Sequence, residues 1–159
     1  VELAAGDRRA LTRLAWMLDA ATPTWTWPEA IHPRLPGGCM GDGHHGWAAA
    51  DFLSLVRNLL VREVSASPAA LALCSLLPND WLGRGIEVHD APTHFGTMSF
   101  AVRWHEERPA LLWELDPHPD VDAVHLTAPG LDAAWSSDER RGEALLAPVL
   151  ADTRREAAG

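Results

Sequence analysis

The chain has 159 residues, 47 % of them hydrophobic, which is enough for one ordinary domain or two small ones with a sizeable core. The formal net charge of −9 at pH 7 disfavours nucleic acid and anionic membranes as partners. No apolar run reaches the roughly 20 residues that a membrane-spanning helix needs. The composition therefore argues for a globular protein with neither kind of partner.

Cysteine usage and the first residues indicate the setting of the chain. Cys39 and Cys74 lack a metal-type spacing and are too few for a disulfide framework, so we expect free thiols and favour a cytoplasmic location. The chain begins with Val1, and residues 7–21 already have the pattern of an amphipathic helix. We therefore expect it to begin in mid-fold, and whether a signal peptide precedes it stays open.

Two helices are predicted, with a long loop between them. The first covers residues 7–20, where apolar residues recur at i, i+3, i+4 and i+7 from Leu11 and Asp7 is the N-cap. The loop, residues 22–43, exceeds the usual ceiling of about 12–15 residues for structureless loops, which points to function. Its helix-breaking residues are Pro23, Pro28, Pro33, Pro36, Gly37, Gly38, Gly41 and Gly43. The second helix is predicted from about Gly46 to Arg62, with an apolar stripe broad enough for burial on several sides.

After Glu63 the pattern changes to short apolar runs between turns. Their spacing of about 8–12 residues is typical of an antiparallel β-sandwich. The run MSFAVRW (98–104) has the alternation of a half-buried strand, and SASPAA (65–70) is interpreted as a linker. The alternating apolar residues are Met98, Phe100, Val102 and Trp104. The predicted segments are helical residues 1–64, a sandwich of residues 65–135, and a fraying acidic, Arg- and Ala-rich tail of residues 136–159.

The loop before the second helix concentrates side chains that suit a polyhydroxylated ligand. Indole faces stack on the C–H faces of sugars, while carboxylates and imidazoles bond to hydroxyls. Trp25 and Trp27, two residues apart, are predicted to form a platform on one side of the loop. The alternative is that one or both of them fill the gap between this loop and the helices on which it packs. The other predicted substrate-binding residues are His32, Asp42, His44 and His45.

The Gly-rich turn at the start of the second helix has two interpretations. His44 and His45 lie where free backbone N–H groups favour polar ligands, so one imidazole is expected to bond to a sugar hydroxyl and the other to hold the loop. Asp42 could instead organise the Gly41–Gly43 turn. A metal bound by Asp42, His32 and the two adjacent histidines is conceivable, but H-x-x-x-H spacing is absent and we predict no metal.

Glu29 is the predicted catalytic carboxylate. Its place between Trp27 and Ile31 predicts partial desolvation, which raises the pKa of a carboxyl group towards the range useful for acid–base chemistry. The alternative is a structural Glu in the first turn of a short helix begun by Pro28.

The order of these parts is similar to that in a known family. A helix, the loop W-x-W-P-E, the turn G-D-G-H-H, a buried helix and then the strands LALCSLLPNDWLGRGIEV and DAPTHFGTMSFAVRW resemble the C-terminal end of six-hairpin glycosidases. The α-L-rhamnosidase-like bacterial members are the most similar, and the resemblance covers about residues 7–131. It implies an α+β chain in two segments, in which the last helical hairpin of an (α/α)6 toroid precedes an antiparallel β-sandwich.

The same resemblance implies hydrolysis of an O-glycosidic bond, with inversion and without a cofactor. Glu29 would activate water, and an acid partner would lie in about ten further helices expected on the N-terminal side. The implied partners are thus a carbohydrate substrate and those missing helices. Two alternatives stay open. One is a non-catalytic carbohydrate-binding or scaffolding module, and the other is a glycoside phosphorylase, for which Arg34 beside Gly37–Gly38 is the local phosphate-binding residue.

Overall fold

The computed structural model describes residues 1–32, 34 and 37–149. The predicted loop breakers Pro33 and Pro36 and residues 150–159 of the predicted tail lie outside this part of the chain. The chain divides into two compact units, Val1–Asn58 and Leu59–Gly159. The division therefore falls in the last turn of the second helix, whereas the sequence analysis divided the chain after residue 64.

The first unit contains one α-helix and most of a second, which are the α-helices of the described residues. Their core side includes Ala10 and Leu14 of the first helix, whereas Leu18 is exposed, so the predicted stripe is only partly buried. Trp27 is the large side chain of this core, and its ring centroid lies 4.9 Å from that of Phe52. The elements are a 3-10 turn (Leu3–Ala5), α1 (Arg9–Asp19), the antiparallel ribbon β1 (Ala30–Ile31) and β2 (Gly38–Met40), and α2 (Gly46–Leu60).

The described part of the second unit, up to residue 149, contains eight strands in two four-stranded sheets. Both sheets contribute buried side chains to one hydrophobic core, which makes the unit a β-sandwich. One sheet has the order β10-β7-β6-β5 and the other the order β3-β4-β8-β9. The strands are β3 (Val61–Ala66), β4 (Ala69–Leu73), β5 (Ile86–Thr93), β6 (Gly96–His105), β7 (Arg108–Pro117), β8 (His125–Ala128), β9 (Asp132–Ser137) and β10 (Arg141–Leu145).

Alternation along β6 determines which face of the strand packs on the core. Met98, Phe100 and Val102 are buried, while the residues between them face the other side, as the side-chain period of a strand requires. Trp104, the last member of the predicted stripe, is half-buried and packs against the core. The predicted strand through 98–104 is therefore confirmed.

The predicted fold class is wrong. Of the described residues, 40 % are in strands and 22 % in helices, with three sheets, two α-helices and no toroid of helical hairpins. The physical reason lies between α1 and α2, where the β1-β2 ribbon takes the place of the short connection that joins the two helices of a hairpin. The sandwich is also not purely antiparallel, since β4 and β8 pair in parallel.

Two segments have structure that the sequence analysis did not assign. The predicted linker SASPAA contains the end of β3, the turn and the start of β4, so it is a hairpin inside the sandwich. Within the predicted tail, Arg141–Leu145 forms β10 and pairs with β7. Neither described helix is both long and apolar enough to cross a membrane.

Candidate functional site

A cleft of about 620 Å³ opens in the first unit, where the end of α1 meets the Gly-rich part of the loop. Its lining combines an indole ring, two carboxylates, a hydroxyl group and the backbone of several glycines. We name it the acidic cleft. Its lining residues are Trp16, Asp19, Ala20, Ala21, Thr22, Pro28, Ile31, Gly37, Gly38, Gly41, Asp42 and Gly43.

Two glycines allow the wall of the acidic cleft to pack closely. A Cβ atom on Gly38 would lie 2.6 Å from Cβ of Pro28, well inside van der Waals contact. Gly41 has a φ of +79°, a backbone conformation that residues other than glycine rarely adopt. A Cβ atom at this position would also lie 3.1 Å from the backbone nitrogen of Glu29. The ribbon can therefore fold back on residues 28–29 only with glycine at both positions.

The indole and one carboxylate of the cleft come from the same helix face. Trp16 and Asp19 are three residues apart on α1, a spacing that makes them neighbours on the helix surface. Trp16 is 58 % exposed, which is unusual for so large an apolar ring, and Asp19 is also exposed. This pair offers a flat apolar surface beside a hydrogen-bond acceptor.

The loop supplies the polar groups on the other side of the cleft. One carboxylate oxygen of Asp42 accepts the backbone N–H of His44 at 3.0 Å, which fixes the position of the side chain. The hydroxyl of Thr22 lies 2.7 Å from that of Thr26 and 3.1 Å from that of Thr24. These local bonds hold Asp42 and Thr22 in defined positions before any ligand arrives.

The structure does not bring the two loop tryptophans together on one surface. Trp27 is 5 % exposed, and its indole N–H donates to the carbonyl oxygen of Met17 at 2.8 Å. Trp25 is 65 % exposed, at a left-handed backbone position with φ of 58°. Trp27 thus fills the core, which was the alternative interpretation, and Trp25 is the one whose ring faces solvent.

Glu29 and His32 lie in the loop but do not line the acidic cleft. Glu29 is exposed, so the desolvation expected from its neighbours in the sequence is absent, and its backbone N–H donates to the carbonyl of Met40 at 3.1 Å. The Nδ1 atom of His32 accepts the backbone N–H of Arg34 at 3.1 Å. Glu29 is nevertheless close to the cleft, because its neighbour Pro28 and its packing partner Gly41 both line it.

Of the two adjacent histidines, only His45 is held in the core of the turn. Its backbone N–H donates to the carbonyl of Trp27 at 2.8 Å, and its ring lies 5.7 Å from that of Trp47. The buried Nδ1 atom of His45 has no hydrogen-bond partner among the described residues. His44 is exposed and contacts Asp42 through its backbone. No group of three or more His, Cys, Asp or Glu side chains in the described residues is placed to hold a metal ion.

Sequence reasoning missed three of the polar or aromatic groups that line the cleft: Trp16, Asp19 and Thr22. The sequence does contain an indication that Asp19 is functional. An acidic residue at the C-terminal end of a helix interacts unfavourably with the helix dipole, so its presence there is unexpected for stability alone. Trp16 is three residues before Asp19 in the same helix, so the sequence also predicts that the two side chains are neighbours. Neither residue lies in the loop on which the sequence analysis concentrated.

The second unit has a smaller groove, of about 420 Å³, on its β5-β6-β7-β10 sheet. Its polar residues carry charges of both signs, and its two aromatic residues, Phe100 and Trp113, are buried. The polar residues are His89, Ser99, Glu114 and Arg141. This groove lacks the exposed ring that marks the acidic cleft.

Comparisons of the chain with protein families, curated proteins and solved structures found no match. The activity of the chain is therefore inferred from its own residues. The resemblance to six-hairpin glycosidases remains an expectation based on short sequence motifs.

Proposed function

We propose that the first unit binds a carbohydrate in the acidic cleft. The observation that carries this proposal is the exposed indole of Trp16, which lines a cleft of about 620 Å³ beside the carboxylates of Asp19 and Asp42. An indole face stacks on the C–H groups of a sugar ring, and carboxylates accept hydrogen bonds from its hydroxyls. Ligand sites of this volume with a few convergent polar groups are common in proteins.

The charge of the lining favours a sugar over an anionic ligand. The described lining residues include two carboxylates and no Arg, Lys or His. The three undescribed residues of the neighbouring loop are Pro33, Leu35 and Pro36, none of which carries a charge. The two carboxylates repel a nucleotide or a phosphate ester, whereas a hydroxyl can donate to either carboxylate.

Binding to neutral oligosaccharides, measured by calorimetry, tests this function. Trp16→Ala should weaken binding about tenfold, since loss of the stacking surface costs about 1.4 kcal/mol. Trp47→Ala is the matched control, because Trp47 is 80 % exposed in the same unit and does not line the cleft. Equal losses in the two variants, or no saccharide binding by the wild-type protein, would reject the proposal.

A second candidate function, glycoside hydrolysis, is favoured by the position of Glu29. Its Cβ lies 3.3 Å from the position that a Cβ on Gly41 would take, so the backbone of Glu29 is next to the wall of the cleft that contains Asp42. Inverting hydrolysis needs an acid and a base about 6.5–9.5 Å apart, and Asp19 and Asp42 provide further carboxyl groups. In this scheme Glu29 activates the water that attacks the sugar.

Turnover of glycosides by the protein separates hydrolysis from binding alone. Glu29→Gln should lower kcat about 10²–10⁴-fold with little change in affinity, as expected for loss of a general base. Glu107→Gln, an exposed position in the second unit, is the matched control. Normal turnover in Glu29→Gln would leave only the binding function. Dependence of turnover on inorganic phosphate would instead indicate a phosphorylase, which the absence of a basic lining residue among those described disfavours.

A further inference from the structure

We infer that the acidic cleft selects a sugar unit with a protonated amino group, held between Trp16 and the carboxylates of Asp19 and Asp42. This inference rests on the proposed carbohydrate binding and names the class of ligand. It combines three features of the cleft: the sign of its charge, the position of its ring, and a carboxylate that folding alone disfavours.

The first feature is the negative charge of the residues that line the acidic cleft. Two of the lining side chains are acidic and, among the described residues, none is basic. Asp19 has an exposed carboxylate, and Asp42 uses one oxygen for the backbone of His44. A neutral sugar would bond to these carboxylates through hydroxyls, but an ammonium group would also gain a charge-assisted bond, which is the stronger kind.

The ring strengthens the preference for a cation. Trp16 is the neighbour of Asp19 on the same face of α1. The face of an indole attracts an ammonium group as well as the C–H groups of a sugar. An amino sugar offers both groups in one unit, so it can engage the ring and the carboxylate together.

The third feature is the place of Asp19 in the fold. It is the last residue of α1, and the last turn of that helix contains no basic residue. The helix dipole puts partial negative charge at this end, so a carboxylate there is unfavourable for folding, whereas Asn would be tolerated. A carboxylate at this unfavourable position is explained if it binds a ligand. A cationic ligand would also reduce the repulsion between the carboxylate and the negative end of the helix dipole.

The test compares oligomers of glucosamine with the same oligomers after N-acetylation, which removes the charge and keeps the ring. At about pH 6, where a primary amine is protonated and ordinary carboxylates are ionised, the amine form should bind at least about tenfold more tightly. The difference should shrink as ionic strength rises from about 0.01 M to about 1 M, because the screening length falls from about 30 Å to about 3 Å. A simple diamine without a sugar ring should bind more weakly than either oligomer.

Two variants assign the preference to the cleft. Asp19→Asn should remove most of the preference for the amine, weaken binding of the amine form much more than that of the N-acetylated oligomer, and not lower the melting temperature. Asp51→Asn is the matched control, because Asp51 is an exposed acid of the same unit outside the cleft, and it should retain the preference.

Three results would overturn this inference while carbohydrate binding stands. They are equal affinity of the wild-type protein for both oligomers, equal effects of Asp19→Asn and Asp51→Asn, and diamine binding as tight as that of the amino sugar. Failure of every oligosaccharide to bind would instead reject the proposed function itself.

Discussion

Truncation of the Trp27 side chain distinguishes two interpretations of this residue, a core tryptophan and a ligand-binding platform. The Trp27 ring is 5 % exposed and packs against Phe52, with ring centroids 4.9 Å apart. Trp27→Ala leaves a cavity and should lower the free energy of unfolding by about 3–5 kcal/mol. Since small domains have only about 5–15 kcal/mol in total, this is a large part of their stability.

A smaller substitution isolates the hydrogen bond. Trp27→Phe retains an aromatic ring but removes the N–H that donates to the carbonyl of Met17 at 2.8 Å. A carbonyl left without a partner costs about 1–3 kcal/mol when it is buried, so this variant should fall between wild type and Trp27→Ala.

Urea titration followed by circular dichroism measures these differences. With a slope of about 1–3 kcal/mol per M urea, a loss of at least 3 kcal/mol moves the midpoint down by about 1 M or more. Trp25→Ala is the matched control, because that ring is 65 % exposed, and its free energy of unfolding should change by about 0.5 kcal/mol or less. An unchanged midpoint in Trp27→Ala, or an equal loss in Trp25→Ala, would refute the assignment of Trp27 to the core.

Two further predictions concern titratable groups. Burial raises the pKa of the Cys74 thiol to about 12, while Cys39 is exposed, so at about pH 8 a thiol reagent should modify only Cys39 until denaturant is added. Rapid modification of both thiols in the native protein would contradict this. The backbone N–H groups of Ala147 and Ala134 donate to the Asp132 carboxylate and lower its pKa in the folded protein. The ionised carboxylate therefore stabilises the fold at pH values above the unfolded-state pKa of about 3.9. This contribution is lost as the pH falls through the folded-state pKa. Asp132→Asn should therefore be less stable than wild type near pH 7, with the gap closing on acidification; a gap independent of pH would exclude this cause.

Much of the local structure could be predicted from the sequence. The alternation through Met98, Phe100 and Val102 determined a strand with one buried face, and the structure places it in β6. Helical spacing likewise predicted α1 and α2 to within a few residues. These features follow from periodicity, which is encoded by neighbouring residues and needs no knowledge of distant parts of the chain.

The candidate site was less predictable, because it joins segments that are apart in the sequence. The acidic cleft forms where Trp16 and Asp19 at the end of α1 face Gly41 and Asp42 of the loop. The length and composition of the loop mark it as unusual, but they do not show which helix completes a cleft with it. Thus Asp42 lines the cleft, whereas Glu29 lies beside it.

By itself, the sequence determined the helices, the central strand and the acidic, ring-bearing character of the loop. Only the tertiary structure decided that α2 runs directly into β3, that β4 pairs in parallel with β8, and that the chain contains no helical toroid within its described residues. It also decided that Trp27 is buried and Trp25 is exposed, although the two lie in the same short motif. The physical reason is that burial and strand pairing depend on which distant surfaces meet, and a residue's immediate neighbours do not specify that meeting.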